Sequence, residues 1–360
     1  KWFAHIPAMS EKGLTVEGIE EEIQSHDHIM ELVKTPLMLT AICVLYYNGG
    51  RMPDQRAELY EKFINNLLFK RFEREEARNI RKFLMGLASR VHSQSNSEKR
   101  NRYFGKRTGT EELSKVYSCD GPEELEERFD MIVRRCGLLK IDGHNYLFWH
   151  LSFQEFLTAR YFNTLNNEAK KEAVGNYWQN SWYKEVVRLY IGHLYCNNDG
   201  VSANLVVKSG LRLEDKAPYS AWLLASQSLL DIPAGDRDIE VLVLVRERLK
   251  HILNNEPDHK IRAEAGEALG WLGEDKRDLE QFISIEGGKY FLKSLKKQVK
   301  IESFEISKYP VTNRWYEEFI KDNGYVTKEY WGKEGWKWLT DENIKQPGYW
   351  NDRKWKCPNS

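Results

Sequence analysis

At 360 residues the chain is longer than one hydrophobic core ordinarily serves, since single cores stop growing near about 250–300 residues, so two or more domains are expected. Its 54 Lys and Arg balance 54 Asp and Glu, which excludes an overall field favouring nucleic acid, and no basic block carries the interleaved aromatics that follow a phosphate backbone. Five cysteines (Cys43, Cys119, Cys136, Cys196, Cys357) are widely spaced, without a C-x-x-C, and read as reduced thiols of a cytoplasmic protein.

The longest apolar run, 37–47, is too short to span a bilayer and is broken by Thr40, so no membrane partner is expected. The chain begins at Lys1 without methionine or a signal-like segment, and it ends in Cys357-Pro358-Asn359-Ser360 with no closing helix or strand. It is expected to be a piece of a longer protein.

From Ile19 to Leu32 charged and apolar residues alternate at helical spacing. Thr35-Pro36 interrupts, and 37–47 (LMLTAICVLYY) predicts a fully buried helix with Pro36 suited to its first turn. Asn48-Gly49-Gly50 ends it. Leu59, Phe63, Leu67 and Leu68 then share one face of an amphipathic helix, and Ile80, Phe83, Leu84, Leu87 and Val91 repeat the pattern over 79–92. The polar stretch 93–109 is expected to be an exposed loop. A helix over 122–134 follows, with Leu125, Phe129, Ile132 and Val133 inward, and a hairpin with Asp142-Gly143 at its turn joins 138–141 to 146–148.

Tyr146, Leu147, Phe148 and Trp149 run into His150, after which Leu151, Phe153, Phe156, Leu157, Arg160 and Tyr161 recur at helical spacing. Ser152 and Glu155 form an S-x-x-E capping box, so a helix capped by Ser152 is expected, with His150 two residues ahead of the cap. A helix N-terminus presents unpaired N–H groups and a partial positive charge, a setting in which proteins hold phosphate. A lone histidine among aromatics is otherwise ordinarily a hydrogen-bonded packing residue. Helix, helix, hairpin, helix is the order of a winged helix. DNA reading by its 122–134 helix is disfavoured by Glu123, Glu124, Glu126, Glu127 and Asp130, which phosphates would repel.

The blocks 35–63 (TPLMLTAICVLYYNGGRMPDQRAELYEKF) and 137–162 (GLLKIDGHNYLFWHLSFQEFLTARYF) together resemble the second half of a NACHT-type STAND NTPase. The resemblance implies a small helical domain over 1–75, following a NACHT core, and a winged-helix domain over 76–165. It places Pro36 near the adenine and His150 at the β-phosphate of ADP in the closed state, with Thr35 the third nucleotide-sensing residue. No G-x-x-x-x-G-K-[ST] occurs in the chain, so no loop here cradles phosphates, and hydrolysis by this chain alone is not expected. ATP or ADP with Mg would be held by an upstream nucleotide-binding core of the same polypeptide, with self-oligomerisation on activation as the implied output.

Helices continue from Ala169 to about Asp231, with Trp178, Trp182, Val186, Val187, Tyr190 and Leu194 on one buried face. His193 and Cys196 stand three apart, a spacing a metal could use, but without a second pair they read as packing, as do His26 and His28. Thus 166–235 is read as a helical domain. Two helices over 238–254 and 257–273, the second (IRAEAGEALGWLGE) rich in small residues, resemble a HEAT-type repeat spanning 236–280.

Near Gln281 strand-like segments and dense aromatics begin; Trp315, Trp331, Trp336, Trp338, Trp350 and Trp355 are half of the chain's 12 tryptophans. The residues SIEGGKYFL, FEISKYPVTNRWYEEFIKDNGY and EYWGKEGWKW resemble the start of a formylglycine-generating-enzyme/sulfatase-modifying-factor domain, which shares a C-type-lectin-like core. The region 281–360 would be its N-terminal part. In that family the domain is longer and copper-binding catalytic cysteines lie outside the part resembled here; Leu292-Lys293 replaces the usual Met-Gly, and no residue of this chain, Cys357 included, is assigned to catalysis or a metal. Trp315, Trp331, Trp336 and Trp338 are candidate ligand-binding aromatics for a protein or peptide.

The expected fold is mainly α over 1–280 and α+β at the C-terminus. Three functions remain open: a regulatory and sensor portion of a STAND ATPase switch in signalling or defence, cysteine oxidation by a completed C-terminal domain, and a purely structural helical adaptor.

Overall fold

The computed structural model describes residues 15–24, 33, 36–48, 53, 55–95, 102–178, 180–212, 219–273, 281–294 and 296–350. The chain divides into two compact bodies, Lys1–Ile252 and Leu253–Ser360. The described residues are mainly helical, with short antiparallel strands at the C-terminus.

In the first body the helices are α1 (Val16–Gln24), α2 (Pro36–Tyr47), α3 (Arg56–Phe69), α4 (Arg74–Ser93), α5 (Lys106–Leu113) and α6 (Pro122–Cys136). A hairpin, β1 (Leu139–Asp142) and β2 (Asn145–Phe148), leads into α7 (Leu151–Phe162), followed by α8 (Asn167–Trp178), α9 (Lys184–Cys196), α10 (Gly200–Arg212), α11 (Tyr219–Leu230) and α12 (Ile239–Asn255). The continuation of the first helical pattern to Leu32 lies outside the described residues, as do His26 and His28.

Three expectations are corrected here. α2 is not fully buried: Met38, Ala41, Ile42, Cys43 and Leu45 are inside, while Thr40 is exposed and Leu39 is 41% exposed. An apolar run carries no polar stripe to mark its outer side, so its sequence cannot show which residues face water. Within the predicted 93–109 loop, α5 already begins at Lys106. Its inward residues are Gly109, Glu112 and Leu113, a pattern with almost no apolar period to read. α4 starts at Arg74, ahead of the apolar period, because its first turn is Arg-Glu-Glu-Ala-Arg with only Ala77 inside.

α6 opens with Pro122 in its first turn, where the missing N–H costs nothing, and stops at Gly137, whose φ of +72° is the left-handed conformation that ends helices. The hairpin register pairs Leu139 with Phe148 and Asp142 with Asn145, so Gly143 and His144 form the two-residue turn, one residue beyond the predicted pair. Gly143 supplies the positive φ (+62°) that the first turn position needs. Phe104 bridges Tyr146 through paired 2.9 Å backbone hydrogen bonds, extending the ladder sideways.

α7 is the hub. It packs on α4, α9, α3 and β2, and Phe153, Phe156, Leu157, Ala159 and Phe162 are buried along it. Phe153 stacks on Phe63, and Phe156 on Tyr60. Trp178, Trp182, Val186, Val187, Tyr190 and Leu194 are all buried, so the face read across 178–194 is real.

The second body holds α13 (His259–Trp271), β3 (Phe282–Ile285), β4 (Gly288–Leu292), β5 (Lys297–Ile301), β6 (Phe304–Ser307), α14 (Asn313–Lys321) and α15 (Lys333–Asp341). Asp258 caps α13 by accepting from the Lys260 amide at 2.8 Å, and Ala265, Ala268 and Leu269 are its buried side. β3 pairs antiparallel with β6 and β4 with β5, as two separate two-stranded ladders. The loop after α14 is held by Phe319, Tyr325 and Trp331, whose ring centroids lie 5.7–6.2 Å apart.

Candidate functional site

His150 stands where the hairpin becomes a helix. The ladder reaches it through Trp149, whose amide donates to the Leu138 carbonyl at 2.9 Å. His150 itself, in extended conformation, caps α7: its Nδ1 accepts from the Ser152 amide at 3.2 Å and lies 2.7 Å from the Ser152 hydroxyl. This corrects the predicted capping box. Ser152 is the second residue of the helix, and the cap acceptor is an imidazole nitrogen, a residue type outside the usual Ser, Thr, Asp and Asn.

The cap fixes the tautomer. An Nδ1 that accepts a backbone N–H carries no proton, so in the neutral ring the proton sits on Nε2, which becomes a donor. Burial, then the nearby Arg102 charge, pull the His150 pKa below the usual imidazole value and favour this neutral form. The ring is half-buried, edge-on to Phe153, and Nε2 has no hydrogen-bond partner among the described residues.

Below the cap lies a polar layer that the sequence reading missed. Arg56 donates to Glu185 at 2.6 Å, Glu185 also meets Arg188 at 3.3 Å, and Arg188 meets Asp231 at 2.8 Å. Burial opposes the Arg56 charge, but Asp231 and Glu185 outweigh it and hold the guanidinium protonated. Glu155 makes no return bond to the helix start; burial, then Glu185, push its carboxyl up to about 7. The i, i+4 spacing of Tyr60 from Arg56 was available as a signal, but it does not reveal partners more than 100 residues away.

His193 is buried beside Arg160 and Asn197, and burial pushes the Cys196 thiol up to about 12. Among the described residues no three His, Cys, Asp or Glu side chains gather as a metal site. Pro36 is exposed at the first turn of α2, and Thr35 lies outside the described residues. α2 packs on α3 and α3 on α7, the route by which Pro36 and His150 belong to one body.

In the second body a groove of about 480 Å³ is lined by Val311, Thr312, Tyr316, Pro347, Tyr349 and Trp350, among others. None of the four candidate tryptophans lines it. Trp331 donates its indole N–H to the Gly324 carbonyl at 2.6 Å, Trp315 lies edge-on to Phe282, Trp336 is half-buried and Trp338 is 53% exposed. Cys357 lies outside the described residues.

Residues 270–355 match the Sulfatase-modifying factor enzyme 1-like domain family. Within the chain, 53 residues are 40% identical to the hercynine oxygenase of Mycolicibacterium smegmatis, covering 15% of this chain and 12% of that protein. The hercynine oxygenase of Mycolicibacterium thermoresistibile is 34% identical over 53 residues, with the same coverage, and that of Mycobacterium tuberculosis 33% over 52 residues, 14% of this chain and 12% of that protein. The chain therefore spans about an eighth of the length of the curated relatives it matches. No helix of the described residues is long and apolar enough to cross a membrane.

Proposed function

We propose that this chain is the regulatory and sensor portion of a NACHT-type STAND ATPase switch, cytoplasmic and serving signalling or defence. In this reading the first body reports which nucleotide an upstream core holds, the HEAT-like helices act as a spacer, and the C-terminal domain recognises a protein or peptide ligand. The observation that carries the reading is the His150 cap, which occupies Nδ1 internally and leaves Nε2–H as a donor without a hydrogen-bond partner among the described residues, at a helix N-terminus. Such a donor suits an oxygen of the ADP β-phosphate.

The chain's own residues supply this one contact and the lever behind it. In this reading the phosphate loop and the Mg ligands would be supplied by an upstream core, as the sequence contains no G-x-x-x-x-G-K-[ST]. A hydrogen bond to a charged group contributes roughly 1.5–3 kcal/mol, about ten- to hundredfold in affinity. That biases a switch without locking it. In the longer polypeptide, His150→Ala is expected to lower retained ADP by that factor; unchanged ADP content would overturn the reading.

A second reading rests on the match at 270–355: oxidation of a substrate by the completed C-terminal domain, of the formylglycine-generating kind or, as the relatives' name states for them, on hercynine. Turnover of a cysteine peptide or of hercynine by the longer polypeptide would favour it over ligand recognition alone.

A further inference from the structure

A groove of about 720 Å³ opens where α3 ends and α4 begins, against the C-terminal end of α6. Lys70, Arg71, Arg74, Arg78 and Arg135 line it, all exposed, against the carboxylates of Glu73 and Glu76, an excess of three positive charges. Phe69 stands at its lip, 45% exposed. Arg71 and Arg135 donate to each other's backbone carbonyl at 3.0 and 2.6 Å, and Lys70 donates to the Asn48 side chain at 2.7 Å. None of the five has a carboxylate partner at ion-pair distance among the described residues. Elsewhere in this body Arg56, Arg81, Arg90, Lys106, Arg160 and Arg188 each have one.

The opposite charge is displayed on the same body. Along α6, Glu123, Glu124, Glu126 and Glu127 are exposed; Glu124 reaches Arg128 and Glu126 reaches Lys106, while Glu123 and Glu127 meet no cation at ion-pair distance among the described residues. The helix dipole explains acids in the first turn and Arg134 and Arg135 in the last. It explains neither Glu126 and Glu127, beyond that turn, nor the four cations that residues 70–78 add around Arg135. Arg135 and Glu123 are 12 residues apart on one rigid helix, about 18 Å at 1.5 Å per residue, so the acidic face cannot fold back into its own groove.

We propose that the groove receives the acidic face of α6 from a second copy of this chain. The contact is head-to-tail, using different patches on the two copies, and so builds a ring or an open chain rather than an isologous dimer. It rests on the STAND-switch reading, whose family resemblance implies self-oligomerisation, and gives that assembly a surface, but it involves no nucleotide contact.

Sedimentation of the 360-residue chain across a salt series tests it. The wild-type chain is expected to associate at low ionic strength and to dissociate as salt rises, because exposed charges are screened beyond about 8–10 Å near physiological salt. The pair Arg74→Glu with Arg78→Glu should weaken association at least about tenfold, and Glu123→Lys with Glu127→Lys equally. Mixing the two charge-reversed variants should restore it, each supplying the patch the other needs, which separates loss of a contact from loss of folding. A wild-type chain that stays monomeric at low salt, variants that associate as the wild type does, or a mixture that fails to recover would each overturn the proposal. So would a single-stranded oligonucleotide that occupies the groove while self-association ignores the reversals. In the longer polypeptide, ADP content should respond to His150→Ala and not to Arg74→Glu, so failure here and failure of the nucleotide reading are told apart.

Discussion

The two bodies of this chain use their aromatic residues in opposite ways. In the first, Phe83, Phe129, Phe148, Phe153, Phe156 and Phe162 are all less than 2% exposed; Phe153, Phe156 and Phe162 lie on α7, and Phe83 meets Phe129 edge-on. In the second, Tyr325 and Leu339 are the buried hydrophobics described after Gln281, while Phe291 is 62% exposed and Phe282, Tyr330 and Trp338 are open as well. Packing in the first body is a closed core. After Gln281 in the second it rests on ring clusters, two short helices and two-stranded ladders, and such ladders alone are marginal in water. Aromatic content therefore does not predict burial; what matters is whether helices on several sides converge on the rings.

Truncation should separate the two bodies most sharply. Phe156→Ala is expected to cost about 3–5 kcal/mol in urea unfolding, through lost transfer and a cavity among α3, α7 and α9, whereas Trp338→Ala should stay within about 0.5 kcal/mol. Equal costs would erase the comparison. Next in size is the polar layer beneath the cap. Arg56→Met removes the 2.6 Å bond to Glu185 and should destabilise the first body by about 1.5–3 kcal/mol. Partial rescue by adding Glu185→Gln would show that the uncompensated carboxylate, and not lost packing, sets the cost.

Acid should act on the first body as well. His92 lies against Trp182, its Nε2 3.2 Å from the Trp182 carbonyl, and burial pulls it down to about 4; His193 is pulled to about 4 by burial and Arg160. Both bind protons more weakly folded than unfolded, so their contribution is fully present above about pH 6.5 and is lost as pH falls toward 4. Glu155, raised to about 7, works the other way: between about pH 7 and 4.5 the folded state gains from its protonation. For these three groups alone, two losses against one gain leave a net fall of about 1.4 kcal/mol per pH unit between about pH 6.5 and 4.5. Glu155→Gln should steepen that fall, measured as the urea midpoint against pH. A modest effect is expected in the second body: Trp331→Phe removes the indole bond to the Gly324 carbonyl and should cost about 0.5–1.5 kcal/mol in that body alone, more than Trp338→Ala.

The order of helices and the hairpin were legible because their signals are local: Pro122 and Gly137 bound α6, Gly143 turns the hairpin, and apolar residues mark the inner side of α4 and α7. α5 was not, because Gly109 and Glu112 occupy inward positions where a period would need apolar side chains. At the site, the histidine was legible but its role in the helix was not. Ser152 three residues before Glu155 spells a capping box, and only the backbone shows that His150 takes the amide instead. Arg56, Glu185, Arg188 and Asp231 are gathered from two helices, α3 and α9, and the turn after α11, contacts that no sequence spacing encodes. The aromatic groove of the second body was likewise hidden, because Tyr316 lies on α14 while Tyr349 and Trp350 follow 33 and 34 residues later in a turn.

The central claim is that the α7 cap prepares His150 Nε2–H for a phosphate oxygen. The most direct measurement is the ADP retained by the longer polypeptide after purification, compared between the wild type, His150→Ala and Ser152→Ala. ADP content should fall about ten- to hundredfold for His150→Ala. It should fall less for Ser152→Ala, which removes the hydroxyl but keeps the backbone amide that fixes the tautomer. Equal ADP content in all three would contradict the claim and leave His150 as a helix cap alone.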